Sequence, residues 1–416
     1  MSQPKSSRLR GVATTAAIAL GIVALPGASV AHSGLVLRGY GTSTVDGTFS
    51  PGEWDAAGLH EFSAPLPAEL GGGTILGTLY VMNDAQNLYV ALRMASPSTA
   101  GTTSFLGAFD NNHSGTLYKQ GDEVMVFERS GATTSFSDSF INVVPNGFCW
   151  CKDTDYGGTD EQAGGYARDS GASYYEISHP LDTADDPHDF SLGPGRRMSL
   201  EIAYITCGFT QCASVQIPPR GVGRWPGDLA IVSTDHTPPE TQIVSGPAED
   251  SISRPGEFVF TFSGTDAGIP PETLIYECKL DDRPYEPCAS PYRVLFADEG
   301  TNIFSVRALD DWDLADPTPS VRSWRVDGTG PTRPKVVGPR VTRSRSPIYR
   351  FSATDAVSSP SEIRFRCSFD SARLHACGAR YRQRLRRGRH VLRVRALDVL
   401  GNASQIATVR VLVKKR

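Results

Sequence analysis

The stretch YECKLD at residues 276–281 recurs as FRCSFD at residues 365–370, and this repeat decides the fold. In both copies a second cysteine lies ten residues after the first, at Cys288 and at Cys377. The string VRALD begins 28 residues after the first cysteine in one copy and 27 residues after it in the other. Because several features recur in one register, the C-terminal half contains two related units.

Each repeated unit has the pattern of a β-sandwich. In FVFTFS at residues 258–263 the three phenylalanines alternate with Val259 and Thr261, which is the period of two that a half-buried strand requires. Proline-rich segments, DHTPP at 235–239 and VDGTGP at 326–331, bound the units as stiff linkers. We therefore predict units at 236–327 and 328–416, each with the size of an immunoglobulin-like sandwich.

The repeated units resemble bacterial extracellular immunoglobulin-like repeats. The resemblance rests on the Pro-Pro-x-Thr opening at 238–241, the Cys-x-Leu-Asp string with its second cysteine, Val-Arg-Ala-x-Asp, and the closing Trp324-x-Val-Asp327. It covers nearly all of the first copy, whereas the second copy lacks the closing Trp. It implies a role in spacing, presentation or wall attachment.

The N-terminus has the pattern of a secretory signal. Basic residues at positions 5, 8 and 10 precede an apolar run at 11–25, and small residues follow at 28–31. This order predicts a signal peptide over 1–31, with cleavage after Ala31. The run is shorter than the roughly 20 residues of a membrane span. We therefore expect a secreted protein without a transmembrane anchor.

All eight cysteines follow the predicted cleavage point, and an even number in an exported chain argues for disulfides. The repeated spacing predicts the bridges Cys278–Cys288 and Cys367–Cys377 across hairpins. The other four could form two disulfides of open connectivity or supply four thiolates to zinc, and export favours disulfides. These four are Cys149, Cys151, Cys207 and Cys212.

Residues 32–235 form a different, larger unit. GTLYVM at 77–82 and NLYVAL at 87–92 flank the polar turn NDAQ, which predicts a hairpin. Five short motifs follow one another in this unit: VDG at 45–47, EWD at 53–55, NLYV at 87–90, GDEV at 121–124 and YEI at 175–177. Their order resembles that in the β-sandwich of family 9 carbohydrate-binding modules and their DOMON relatives. The resemblance implies a carbohydrate or cell-wall glycan as partner. The predicted fold is all-β: one larger β-sandwich followed by two immunoglobulin-like β-sandwiches in tandem.

The segment DNNHSG at 110–115 predicts a calcium site. It offers oxygen ligands at its first, third and fifth positions and glycine at its sixth, as a calcium loop needs. The twelfth position is Gly121 rather than glutamate, so the segment is not an EF-hand, and the acidic residues that follow would close the site. The alternative is a polar surface turn. The predicted ligands are Asp110, Asn112, Ser114, Asp122 and Glu123.

Sugar binding needs an aromatic platform flanked by polar groups. The larger unit has three tryptophans. Trp54 lies in the opening motif, which is VDGTF at 45–49 together with GEWDAA at 52–57, and is expected in the core. Trp150, between two cysteines, and Trp225, beside Arg224, are the predicted ligand-binding residues. For both, burial in the core is the alternative.

The sequence contains neither a Gly-x-Ser-x-Gly elbow nor a phosphate-binding Gly-x-x-x-x-Gly-Lys loop. We therefore expect a non-catalytic binding or adhesion protein with calcium as its only cofactor, and no nucleotide or flavin. One alternative is a weak polysaccharide hydrolase or its accessory, whose carboxylates meet only in the fold. The other is a haem-binding redox sandwich with axial ligands among Met82, Met94, Met125, His60 and His113.

Charge is strongly divided along the chain. Residues 333–416 contain 21 Lys and Arg against 4 Asp and Glu, although the whole chain has a net charge of −4. In the run at 380–389 arginine alternates with other residues, so a strand there would present several guanidinium groups on one face. Such a face suits an anionic polymer. The alternatives are simple solvation or docking on the acidic first unit.

Overall fold

The computed structural model describes residues 36–65, 73–95, 102–110, 122–130, 132–144, 147–183, 190–207, 212–217 and 227–415. The predicted signal peptide and the middle of the predicted calcium loop lie outside these residues. Within them the fold is all-β, as the alternating patterns predict. Its only helical pieces in the described ranges are α1, Asp153–Tyr156, and a 3-10 turn, Pro271–Thr273.

The larger sandwich consists of one eight-stranded and one five-stranded sheet. The larger sheet has the order β1-β13-β11-β5-β6-β7-β8, with β12 paired to β11, and the smaller has the order β2-β3-β4-β10-β9. Its strands are β1 Val36–Leu37, β2 Gly58–Pro65, β3 Thr74–Asn83, β4 Asn87–Ala95, β5 Thr102–Asp110, β6 Glu123–Ser130, β7 Thr133–Val144, β8 Gly147–Lys152, β9 Ala163–Arg168, β10 Ala172–Pro180, β11 Arg197–Cys207, β12 Cys212–Ile217 and β13 Gly227–Ala230.

The predicted hairpin at 77–92 is present as β3 and β4, and the side chains between the two sheets form the main core. Phe105 of β5 packs there against Tyr175 of the facing β10, and Phe109 packs against Phe190, which lies between β10 and β11. The intervening Leu106 and Ala108 point to the opposite, outer face of the larger sheet and are buried as well. The larger sheet is therefore covered on both faces.

Two smaller sandwiches follow, each made of a three-stranded and a five-stranded sheet. The first has the orders β14-β16-β19 and β15-β21-β20-β17-β18, and the second repeats them as β22-β24-β27 and β23-β29-β28-β25-β26. The strands are β14 Glu240–Ser245, β15 Ser251–Ser253, β16 Phe258–Thr265, β17 Ile275–Leu280, β18 Glu286–Cys288, β19 Tyr292–Val294, β20 Gly300–Leu309, β21 Ser320–Val326, β22 Lys335–Val337, β23 Val341–Thr342, β24 Ile348–Ser352, β25 Arg364–Phe369, β26 His375–Cys377, β27 Arg380–Arg382, β28 Gly388–Leu397 and β29 Ala407–Val413.

The repeat found in the sequence is thus a repeat of topology, strand for strand. Both units have one parallel pair, β15 with β21 and β23 with β29, among otherwise antiparallel strands. The predicted all-β fold, one larger sandwich followed by two immunoglobulin-like sandwiches, is confirmed.

Both predicted bridges in these units are formed. Cys278–Cys288 joins β17 to β18 and Cys367–Cys377 joins β25 to β26, with Cα–Cα distances of 5.7 and 6.0 Å. In each pair the cysteines lie on adjacent antiparallel strands, so each bridge closes a hairpin.

Removing one bridge should lower stability without changing the topology. For Cys278→Ala combined with Cys288→Ala we expect a loss of about 3 kcal/mol, because an open ten-residue loop returns entropy to the unfolded chain. Denaturant unfolding of the full chain measures this. A double variant that unfolds at the same denaturant concentration as the parent would contradict the expectation.

Candidate functional site

The opening motif of the larger sandwich is held by one buried carboxylate. Glu176 of β10 accepts hydrogen bonds from the backbone nitrogen of Gly47 at 2.7 Å and from Trp54 Nε1 at 3.0 Å. Burial raises the pKa of Glu176 although these hydrogen bonds oppose it. Trp54 is only 6% exposed and stacks on Phe49, so it is a core residue, as predicted.

A second buried group lies between the two sheets and joins three strands. Glu123 begins β6, Asp138 lies in β7 and His179 lies near the end of β10. His179 Nε2 is 2.7 Å from Asp138 Oδ2, and one ligand-type atom from each of the three residues lies within 4.8 Å of the others. Phe190 packs against the imidazole ring at 4.6 Å between centroids. All three polar residues are buried.

The hydrogen bonds of this cluster indicate which of its atoms carry a hydrogen. His179 Nδ1 faces the carbonyl oxygen of Pro180 at 2.7 Å, so it carries a hydrogen. Burial acts to raise the pKa of Asp138, but hydrogen bonds with Glu123 and His179 outweigh it and lower that pKa. The lowered pKa favours the ionised form of Asp138, whose Oδ2 atom faces His179 Nε2.

The outer face of the larger sheet carries a row of buried polar groups. Strand alternation places Asp110, Ser199 and Asp228 on the same face as the apolar Ala108 and Val124. The hydroxyl group of Ser199 donates to Asp228 Oδ1 at 3.0 Å. This face, with the apolar residues Leu106, Ala108, Val124, Val126 and Ile141 and the polar residues Asp110, Asp122, Ser199, Glu201 and Asp228, is called the outer face below.

The predicted calcium ligands that the structure describes do not all point to the same side of the larger sheet. The β5–β6 register pairs Phe109 with Glu123, so Asp110 and Asp122 stand at the two ends of the same loop and on the outer face. Glu123 points the other way, into the core, where it joins Asp138. The remaining two, Asn112 and Ser114, lie outside the described residues. Calcium binding by this loop stays a prediction.

Of the two predicted platform residues, Trp150 can be placed in the fold. It lies on β8, an edge strand of the larger sheet, at the register position opposite Ile141 of the outer face. The next residue, Cys151, is buried and disulfide-bonded. Trp225 lies outside the described residues. Cys207 and Cys212 are register partners in the β11–β12 hairpin, whereas the side chain of Cys149 lies outside the description.

Of the residues considered as haem ligands, the three methionines are buried in apolar clusters. Met94 and Met125 lie between the sheets, and Met82 lies in the cluster of Trp54, all 1% exposed. His60 lies on β2 and is partly exposed, and His113 lies outside the described residues.

The arginine run at 380–389 does not form one strand. β27 ends at Arg382, and Leu385 turns into the core at 4% exposure, so the expected alternation along a single strand is wrong. Arginines instead gather on the outer side of the β23-β29-β28-β25-β26 sheet, because the apolar residues of those strands point inward. This basic face consists of Arg364, Arg366, Arg393, Arg395 and Arg410.

Among the described residues, no helix has the length and apolar character needed to cross a bilayer. No model of a known protein family matches the sequence, and no curated protein matches it either.

Several solved structures match parts of the chain at low similarity. A family 9 carbohydrate-binding module from Caldicellulosiruptor kristjanssonii in complex with cellotriose is 12% identical, and the match covers 48% of this chain and 95% of the module with a TM-score of 0.33. The same module in complex with glucose is 10% identical, and the match covers 48% of this chain and 98% of the module with a TM-score of 0.31. Fibronectin(III)-like modules of Clostridium thermocellum CbhA are 17% identical, and the match covers 42% of this chain and 94% of theirs with a TM-score of 0.21. These values do not assign the chain to a family.

The buried cluster should govern acid stability of the larger sandwich. For Asp138→Asn we expect a loss of about 3–5 kcal/mol, because the substitution removes one partner of the buried Asp138–His179 pair. The pKa of Asp138 is depressed, so its contribution is present above the ordinary aspartate pKa of about 4 and is lost as the pH falls through the folded value. Urea unfolding between pH 7 and pH 2 measures both effects.

The matched control is Asp55→Asn, because Asp55 is exposed in a turn. It should unfold like the parent at every pH, whereas Asp138→Asn should show a flatter acid dependence. Equal stability of both variants at pH 7 would contradict the assignment.

Proposed function

We propose that the chain is an exported, non-catalytic protein whose first sandwich binds a carbohydrate and whose two immunoglobulin-like sandwiches present it. The observation that carries the proposal is the place of Trp150 on β8, which is an edge strand of the larger sheet and therefore open on one side. An aromatic platform flanked by polar groups is what sugar recognition needs. The disulfide at Cys151 would hold that strand in place.

The proposed organisation is a signal peptide at 1–31, a binding unit at 32–235 and presentation units at 236–327 and 328–416. The bridges Cys278–Cys288 and Cys367–Cys377 support export, since structural disulfides persist in oxidising compartments.

A binding role is favoured over hydrolysis by the carboxylates of the first sandwich. Glu123 and Asp138 lie between the sheets and hold His179, so a polymer cannot reach them. Glu176 is occupied by the opening motif. These three carboxylates therefore have structural partners rather than a substrate cleft.

The basic face supports a second function, attachment to an anionic polymer. Arg366 and Arg395 stand directly opposite each other on β25 and β28, and Arg393 faces Ser368 two register positions further along. Like charges directly across a sheet are destabilising. Bidentate guanidinium groups arranged in this way suit phosphate or carboxylate groups of a wall polymer, which would relieve the repulsion.

Replacing the proposed platform should abolish sugar binding. On a glycan array, with and without calcium, we expect Trp150→Ala to lose retention on each glycan that the parent binds, because the stacking surface is removed. The matched control is Tyr156→Ala, since Tyr156 is an exposed aromatic residue just after β8 that contacts Phe140. Retention of the glycan by Trp150→Ala would show that the platform lies elsewhere, and release of cleaved sugar would refute the non-catalytic role.

Removing charge from the basic face should weaken attachment more than removing it elsewhere. On phosphate-rich wall material at low salt we expect Arg366→Gln with Arg395→Gln to lose several-fold more retention than Arg373→Gln with Arg384→Gln, which has the same net charge. Parent retention should also fall steeply as salt shortens the Debye length to about 8 Å. Equal losses in both double variants would indicate a diffuse charge effect and not a binding face.

A further inference from the structure

Three carboxylates converge at the junction of the two immunoglobulin-like sandwiches. Asp327 directly follows β21, Asp355 lies between β24 and β25, and Asp398 directly follows β28. One carboxylate oxygen from each lies within 4.8 Å of the others. Asp327 is 0% exposed and Asp398 is 3% exposed, so water screens their mutual repulsion poorly.

Two of these carboxylates keep a buried oxygen that the protein does not use. Asp355 Oδ1 accepts hydrogen bonds from the backbone nitrogens of Val357 and Ser358 at 3.0 and 2.9 Å. Asp398 Oδ1 accepts one from the backbone nitrogen of Asn402 at 2.7 Å. The Oδ2 atoms of Asp355 and Asp398 are buried without a hydrogen-bond partner. A buried carboxylate oxygen in that state is costly unless a cation or a proton satisfies it.

The carboxylate of Asp327 has a backbone hydrogen bond from Thr329 and two longer contacts from the second immunoglobulin-like unit. The hydroxyl group of Ser358 and the amide nitrogen of Asn402 approach its carboxylate at 3.5 Å. Burial, together with the negative charges of Asp355, Asp398 and Glu299, raises the pKa of Asp327. The three carboxylates thus lack a positive counterpart of their own.

The arginines nearest to this junction are directed at backbone oxygens instead. Arg325 donates to the carbonyl oxygen of Val357 at 3.2 Å, and Arg254 donates to that of Leu400 at 2.6 Å. Within the described part of the chain, none of the ion pairs includes Asp327, Asp355 or Asp398.

The preceding junction contains the related residues but not the same cluster. Asp266 and Asp310 occupy the repeated strings FSxTD and VRALD, as Asp355 and Asp398 do. The third carboxylate there is Asp311, which accepts a hydrogen bond from the backbone nitrogen of Ser233, whereas Asp235 is hydrogen-bonded to Thr237. Among the described residues, these side chains do not bring three ligand atoms within 4.8 Å of one another. That junction therefore offers a natural control.

At the preceding junction, direct contacts join the larger sandwich to the first immunoglobulin-like sandwich. Trp312 Nε1 donates to the carbonyl oxygen of Ser233 at 3.0 Å, and Asp313 pairs with Arg38 and Arg197 of the larger sandwich. In the second unit the corresponding loop reads VLGN at 399–402, and its side-chain link to the preceding unit that matches Trp312 is the amide of Asn402, which donates to the carbonyl oxygen of Asp327 at 3.2 Å. Among the residues that the structure describes, this loop has no counterpart of the ion pairs of Asp313, and a bound cation would supply one.

We propose that Asp327, Asp355 and Asp398 bind a calcium ion that fixes the two immunoglobulin-like sandwiches to each other. Calcium takes six to eight oxygen ligands in flexible geometry, which suits carboxylates from three loops together with the carbonyl oxygen of Asp327, the hydroxyl group of Ser358 and water. Magnesium demands stricter octahedral geometry, and zinc prefers nitrogen and sulfur. The expected dissociation constant is about 0.1–1 mM, as in extracellular modules.

Hydrogen exchange of the full chain, compared in EDTA and in calcium chloride at about ten times that constant, tests the proposal. We expect calcium to slow exchange at least tenfold at the backbone amides of Val357, Ser358 and Asn402, because these amides hold the ligand carboxylates. Magnesium chloride at the same concentration should not. Because the effect is local, calcium bound at 110–122 would not imitate it.

The paired variants are Asp355→Asn with Asp398→Asn and, as control, Asp266→Asn with Asp310→Asn. Asparagine can still accept the loop hydrogen bonds, so the first pair should fold yet lose the calcium effect, and the control pair should keep it. Equal exchange of the parent in EDTA and in calcium would overturn the proposal. Persistence of the effect in Asp355→Asn with Asp398→Asn would overturn it as well.

Discussion

Strand register is the constraint on which the rest of this structure depends. Successive residues of a strand point to opposite faces, so a shift by one position would exchange core and surface along the whole strand. In β6 this rule sends Glu123 into the core while its neighbour Asp122 stands on the outer face. In β25 it turns Cys367 inward and Arg366 outward. The position of Trp150 on β8 and the basic face are therefore products of the same pairing that fills the cores.

The sequence was sufficient for the fold where it carried repetition or strong local patterns. The cysteine spacing and the VRALD string predicted two equivalent sandwiches and their bridges, and the opening motif predicted that Trp54 is buried. It was insufficient where residues meet through strands that are distant in the chain. His179 lies within the recognised YEISHP segment, but nothing in that segment indicates that β10 faces Asp138 of β7. Similarly, the arginine run gave no sign that Leu385 ends its alternation.

Charge has a different role in each part of the molecule. Inside the larger sandwich Asp138 has hydrogen-bond partners in Glu123 and His179, so its burial is tolerated. At the first junction Asp313 is neutralised by two arginines of the larger sandwich. At the second junction and on the basic face the charges are of one sign, and we infer that partners from outside the chain complete them. The two repeats thus share a topology but differ in what holds each of them to its surroundings.

The central claim, a non-catalytic sugar-binding face on the larger sheet, is tested most directly by a hydrogen-exchange footprint of the full chain with an oligosaccharide retained on the glycan array. The account predicts slowed exchange concentrated in β6, β7 and β8, with the oligosaccharide recovered intact. Protection confined to the immunoglobulin-like sandwiches, or recovery of shortened oligosaccharide, would contradict it.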